Sequence, residues 1–168
     1  ASCIIINNKD VVIPEGKALL VCEDPFEAYL TIVKYFKPLK VSTQAISEDL
    51  IVGEGTIIMP NVFIGNNVKI GNHCTIYPGV TILADTLIGN EVIIQSNTVI
   101  GGDAFYYNTK KNRPDWYKKM LSCGRVVLED KVEIGAACTI DRGVSGDTRI
   151  GRGTKIDNMV HIGHDTQT

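Results

Sequence analysis

The chain has 168 residues, a mass of 18.3 kDa and a formal net charge of −2, with 44% hydrophobic and 21% charged residues. Seventeen Lys plus Arg against nineteen Asp plus Glu argue against bulk electrostatic binding to nucleic acid or an anionic membrane, and the apolar content argues against intrinsic disorder. The five cysteines (Cys3, Cys22, Cys74, Cys123, Cys138) are odd in number and lack CxxC spacing, which disfavours a zinc ribbon or a disulfide framework and suits free thiols in a reducing cytosol. No apolar run approaches the ~18 residues of a spanning helix, so no transmembrane segment is expected, and no charged-then-apolar leader opens the sequence. The chain starts at Ala1 without Met and stops at Thr168 inside a repeat, so a segment of a longer protein is expected.

Residues 1–40 do not repeat. Cys3–Ile6 and 18–22 read as short strands. Asp24-Pro25 opens a helix, with Asp as N-cap and Pro at the first helical position. Phe26, Tyr29, Leu30, Val33 and Phe36 follow at helical spacing and form a core stripe, and Lys37-Pro38 ends the helix. The pattern is β-turn-β-α, the C-terminal part of a small α/β domain, with a linker over 38–44.

From Ile46 a different period takes over. Val52, Ile58, Ile64, Ile70, Ile76, Ile82, Ile88, Ile94 and Ile100 follow in steps of six. Ten such positions in a row arise by chance about once in a billion fixed starts, given the usual frequency of Ile plus Val. Compact residues stand four places after each aliphatic: Val62, Val68, Cys74, Val80, Thr86, Val92 and Thr98 among them. The frame returns at Leu128, Ile134 and Ile140, and again, after four extra residues within 141–147, at Ile150, Ile156 and Ile162. A period of six is neither helical nor simple strand alternation. It fits a strand of about four residues and a turn of two, coiled and stacked as a parallel β-helix over 41–168. Gly and Asn at Gly65-Asn66-Asn67, Gly71-Asn72 and Gly89-Asn90 are placed where a corner needs left-handed backbone. The polar stretch 103–123 lacks the pattern and is expected to be a loop pushed out of the coil. Cys138 and Cys74 share an inward frame site and read as small core residues.

The candidate chemistry lies in Asp157-Asn158-Met159-Val160-His161-Ile162-Gly163-His164-Asp165. Ile162 is an inward frame position, so His161 points outward, and His164 lies near the strand's end. Imidazole is the side chain best suited to take a proton at neutral pH, so two histidines near one groove suggest a base. A surface polar cluster and a metal pair remain alternatives. A zinc hydrolase would need three ligating histidines, whereas His73 is the one other histidine and lies far from this segment.

At this segment the chain resembles the hexapeptide-repeat acyltransferases of lipid A biosynthesis, in which an Asn-x-x-x-Ile-x-His type motif ends on a general base, here His164. Gly101-Gly102-Asp103-Ala104-Phe105-Tyr106-Tyr107 and Ala137-Cys138-Thr139-Ile140-Asp141-Arg142-Gly143 are similar to stretches of the family's N-acyltransferases, and residues 1–38 to the second half of their uridine-binding domain. His161 and Tyr106 stand where Gln and Gly, respectively, are found in other members. The resemblance implies a left-handed parallel β-helix, mainly β, preceded by part of a small α/β domain (1–40) and truncated at its C-terminal end. It implies a cytoplasmic homotrimer that moves a 3-hydroxyacyl group from acyl carrier protein to the C2 amine of a UDP-3-O-(3-hydroxyacyl)glucosamine. His164 is then the base, Asp157, Asn158 and His161 are candidates to hold the sugar, and neither a metal nor a cofactor is needed. Asp165 or a nearby carbonyl is expected to orient His164. The basic loop with Lys110, Lys111, Arg113, Lys118 and Lys119 is a solvated surface or, secondarily, a contact for the acidic carrier protein. The rival readings are a sugar-nucleotide acetyltransferase using acetyl-CoA and a non-catalytic β-helix acting as a structural or binding module.

Overall fold

A computed structural model describes residues 3–168, so the first two residues of the predicted α/β segment lie outside the described residues. The chain divides into two compact units, residues 1–39 with 107–121, and residues 40–106 with 122–168.

In the first unit, β1 (Cys3–Ile6) and β2 (Ala18–Val21) pair in parallel, Cys3 opposite Ala18 and Ile6 opposite Val21. The connection 7–17 is therefore a crossover and not the turn of a hairpin, because parallel neighbours must start at the same end. Helix α1 (Pro25–Phe36) begins as its capping residues dictate: Asp24 accepts hydrogen bonds from the backbone N–H of Phe26 (3.0 Å) and Glu27 (3.3 Å). Leu30 and Val33 are its buried residues. Phe36 departs from the expected core stripe: on the last helical turn it is 73% exposed, its ring edge-on to Tyr35. The stretch expected to be a plain loop holds an antiparallel hairpin, β12 (Tyr107–Thr109) with β13 (Tyr117–Lys119). Three cations of residues 107–121 have partners within this unit. Lys110 reaches the Asp24 carboxylate at 2.6 Å, Lys118 the Glu27 carboxylate at 2.7 Å, and Arg113 lies over the Phe26 ring. The phenol of Tyr29 donates to the Leu121 carbonyl at 2.9 Å.

The second unit is the left-handed parallel β-helix. Before the insertion it runs through β3 (Ile51–Val52), β4 (Ile57–Ile58), β5 (Phe63–Ile64), β6 (Lys69–Ile70), β7 (Thr75–Ile76), β8 (Thr81–Ile82), β9 (Leu87–Ile88), β10 (Ile93–Ile94) and β11 (Val99–Gly102). After it come β14 (Arg125–Leu128), β15 (Glu133–Ile134), β16 (Thr139–Asp141), β17 (Asp147–Ile150), β18 (Lys155–Ile156) and β19 (His161–Ile162). Most hydrogen-bonded stretches are two residues long, shorter than the four expected, because each face of the coil is only one sextet wide. Three five-stranded parallel sheets result, ordered β17-β14-β9-β6-β3, β18-β15-β10-β7-β4 and β19-β16-β11-β8-β5. The frame residues stack through the interior, with Ile64, Ile82, Ile100, Ile140 and Ile162 in register. Burying each Ile side chain contributes about 1.5–3 kcal/mol. The second inward site is mostly valine (Val62, Val68, Val80, Val92, Val132), and where it is Thr or Cys the side chain also serves the corner backbone. Buried Thr98 donates to the Gly135 carbonyl at 2.7 Å and accepts from the Cys138 N–H at 3.1 Å. Cys138 is buried in turn, its thiol on the Asp157 carbonyl at 3.0 Å. Burial pushes the equivalent Cys74 thiol above its ordinary pKa.

The corners use glycine differently from the sequence-based expectation. The left-handed residue is the third after most frame aliphatics, and it is often not glycine: Asn61, Asn67, His73, Asp85, Asn97 and Asp165 all have φ between 55° and 67°. The glycine directly after the aliphatic is needed for space instead. A Cβ on Gly71 would lie 2.5 Å from the Gly89 carbonyl oxygen of the next coil, and one on Gly135 2.5 Å from the Asn158 nitrogen.

Candidate functional site

The site is assembled by the register of one sheet. β19 lies beside β16 with Thr139 opposite His161 and Ile140 opposite Ile162. With both isoleucines inside, Thr139 and His161 project together from the outer face. The Thr139 hydroxyl meets His161 Nδ1 at 2.8 Å, and the Asp141 carboxylate stands 3.9 Å from Nε2. Thr139 and Asp141 flank the frame residue Ile140, which is why both share the face with His161.

His164 lies two residues past the strand, at the start of the corner. Its partner Asp165 occupies the left-handed corner position at φ 58°, a conformation that Asp tolerates better than most residues. The Asp165 N–H donates to Thr148 Oγ1 at 2.9 Å. One carboxylate oxygen, Oδ2, accepts from the Val144 N–H at 3.2 Å and sits 2.8 Å from His164 Nδ1. An ionised carboxylate has no proton to give, so the proton in that bond belongs to Nδ1. A neutral imidazole held in this way keeps a bare lone pair on Nε2, the arrangement of a general base with an orienting acid. The bulge between β16 and β17 supplies the Val144 contact, and the strand that follows supplies Thr148.

The start of the insertion closes the other side. Arg142 donates from its backbone N–H to the Gly102 carbonyl at 2.8 Å and from Nε to the Gly101 carbonyl at 2.7 Å. A second guanidinium nitrogen reaches the Ala84 carbonyl at 3.4 Å, and Nε stands 3.9 Å from the Asp103 carboxylate. Ala104 is buried, with its N–H on Ser122 Oγ. From this braced segment the Tyr106 ring meets the His164 ring edge-on, with centroids 5.7 Å apart and planes at 86°.

Of the residues expected to hold a sugar, His161 joins the cluster with Thr139 and Asp141. Asn158 has a structural task of its own: its side-chain oxygen accepts from the Ala136 N–H at 2.7 Å, and its N–H donates to Asp157 Oδ1 at 2.7 Å. The bond from Ala136 is of the kind made at another corner of the coil, where the side-chain oxygens of Asn72, Asn90 and Asp130 accept from the N–H of Glu54, Asn72 and Asn90. His73 sits at another corner against Gly55, apart from both site histidines. Sequence assigns no role to Thr139 and Tyr106, although both lie in the stretches that carry the resemblance, and it does not single out Val144 or Thr148. The Asp-Arg-Gly run and the four-residue bulge were the signals that pointed near them.

The chain matches the model of the bacterial transferase hexapeptide (six repeats) over residues 49–84 and 70–102. Over 99% of its length it is 35% identical to UDP-3-O-acylglucosamine N-acyltransferase of Pseudomonas syringae pv. tomato, covering 53% of that protein. Over 54% of its length it is 51% identical to the Wolinella succinogenes protein of the same name, covering 28% of it. The crystal structure of Francisella novicida UDP-N-acetylglucosamine acyltransferase superposes with a TM-score of 0.62 at 31% identity, over 72% of this chain and 42% of that one. The chain thus spans about half the length, or less, of the curated relatives it matches.

Proposed function

We propose, from the premise that the chain belongs to the hexapeptide-repeat acyltransferases, that it carries the catalytic base of an N-acyltransferase of lipid A biosynthesis. The acceptor is the C2 amine of UDP-3-O-(3-hydroxyacyl)glucosamine and the donor a 3-hydroxyacyl thioester on acyl carrier protein. The observation that carries the reading is the His164–Asp165 pair at 2.8 Å, with Nε2 left as the proton acceptor. The likeness to proteins named as N-acyltransferases over nearly the whole chain supports the choice of acceptor.

In this reading His164 Nε2 takes a proton from the amine as its nitrogen attacks the thioester carbonyl. The tetrahedral intermediate collapses with loss of the carrier thiolate, and the imidazolium returns the proton to that sulfur. Asp165 holds the ring and stabilises its charged form, and a neutral amine is nucleophile enough that no acyl-enzyme is needed. His161, with Asp157 and Asn158 at the neighbouring corner, holds the sugar nucleotide. The working form is a cytoplasmic homotrimer. Among the described residues no helix is long and apolar enough to cross a membrane.

The test offers the full-length protein and its His164→Ala variant the acceptor with either hydroxyacyl carrier protein or acetyl-CoA, reading product mass. N-acylation from the carrier protein, lost in His164→Ala, is the expected result. Transfer from acetyl-CoA alone would replace this reading with an acetyltransferase, and no transfer from either donor with a scaffold.

A further inference from the structure

A single anchor does not fix an imidazole. His164 is tied to Asp165 through Nδ1, and torsion about the side chain's last bond is broad for a ring on an sp³ carbon. With that one bond alone, the ring swings about the Nδ1–carboxylate axis and Nε2 sweeps an arc. The Tyr106 ring supplies a second contact, edge-on at 5.7 Å. It comes from a segment that cannot easily follow a moving partner. Gly101 and Gly102 are bonded to Arg142, Ala104 is buried, and its N–H is on Ser122. The same Arg142 also grips Ala84 on the preceding coil, so the brace is tied into the stacked corner itself.

We infer that Tyr106 is a positioning residue for His164, its ring, and not its hydroxyl, setting the direction of the proton-accepting Nε2. The inference rests on the reading of His164 as the base. Edge-on aromatic pairs contribute enough to change the population of the held rotamer by about two- to tenfold, and a base must lie within hydrogen-bond reach of its proton to act. Because the contact acts on the base and not on the bound substrates, its loss falls on kcat.

The experiment compares the full-length protein with Tyr106→Ala and Tyr106→Phe in two measurements. In N-acyl transfer from the carrier protein, Tyr106→Ala is expected to lower kcat by about two- to tenfold with KM for both substrates unchanged, and Tyr106→Phe to keep the parent value. In NMR of the side-chain His164 Hε1, the ring-current shift present in the parent and in Tyr106→Phe is expected to vanish in Tyr106→Ala. Parent kcat in Tyr106→Ala, an equal loss in Tyr106→Phe, or a raised KM at unchanged kcat would each overturn the inference. An inactive parent would defeat the base assignment instead, and the NMR arm decides the contact by itself: a His164 signal unmoved in Tyr106→Ala refutes it.

Discussion

Substitutions at Asp165 separate the charge of its carboxylate from its hydrogen bonding. Both donors that reach it, the Val144 N–H at 3.2 Å and His164 Nδ1 at 2.8 Å, meet the same oxygen. In Asp165→Asn an amide oxygen in that place accepts both bonds, and Asn suits the φ of 58° equally well. Only the charge is lost. The carboxylate is 43% exposed, so solvent screens that charge and its contribution falls to about 0.5–1 kcal/mol. The expected fall in kcat is about two- to fivefold. Asp165→Ala removes the acceptor altogether, which costs about 1–2 kcal/mol in the held imidazole and about five- to thirtyfold in kcat. It also puts an alanine into left-handed backbone, a stability cost of about 1 kcal/mol that a melting curve measures separately. The assay is the pH dependence of kcat and kcat/KM for the parent and both variants in the full-length protein. Asp165→Ala with the parent's rate and profile would show that the carboxylate does not orient the base.

Three further outcomes follow from packing and charge. Gly135→Ala drives a Cβ to 2.5 Å from the Asn158 nitrogen and 2.6 Å from the Asp157 carbonyl carbon, and should cost about 1–3 kcal/mol in thermal unfolding. Gly163→Ala meets nothing within 4 Å and should melt like the parent. Ile94→Ala opens a cavity between Ile76 and Ile134 in the middle of a sheet, and denaturant unfolding should register a loss of about 2–5 kcal/mol. The Asp24 carboxyl is held below its ordinary value of 3.8, chiefly by the Lys110 ammonium. A depressed carboxyl stabilises fully above the unfolded value and loses its effect as pH falls through the folded one. Hydrogen-exchange protection in residues 107–119, taken as the observed rate relative to the intrinsic rate at each pH, should therefore hold down to about pH 4 and fall below it; protection lost near pH 6 would point to another group.

The repeat was legible because each sextet obeys a local rule with a long-range consequence. One aliphatic and one compact residue per six must face inward if the coil is to close, and Ile64, Ile82, Ile100 and Ile140 are fully buried as that rule requires. The helix start was equally plain, since Asp24 caps it through residues two and three places away. Expectations went astray where the deciding neighbour is remote in sequence. Gly65, Gly71 and Gly89 read in the sequence as corner residues needing left-handed backbone, whereas the next coil's backbone, eighteen or more residues on, is what excludes a side chain there. Phe36 fits the helical stripe, yet it lies at the helix end and is exposed. The pattern of the first unit reads as β-turn-β-α, and only the parallel register of its strands reveals the crossover.

The candidate site divides along the same line. Sequence by itself determined a six-residue coil with His161 on its outer face and His164 beyond the strand, because the side-chain direction at each position is a function of the frame alone. Which groups meet those imidazoles was decided by the tertiary structure. Thr139 and Asp141 reach His161 across 22 and 20 positions, Val144 and Thr148 reach Asp165 across 21 and 17, and Tyr106 reaches His164 across 58. Those separations mix the coil length with a four-residue bulge and an insertion, and neither leaves a periodic trace. Coil stacking converts such irregular separations into contact, so the two histidines can be placed from the pattern while the groups around them appear only once the coils are laid on one another.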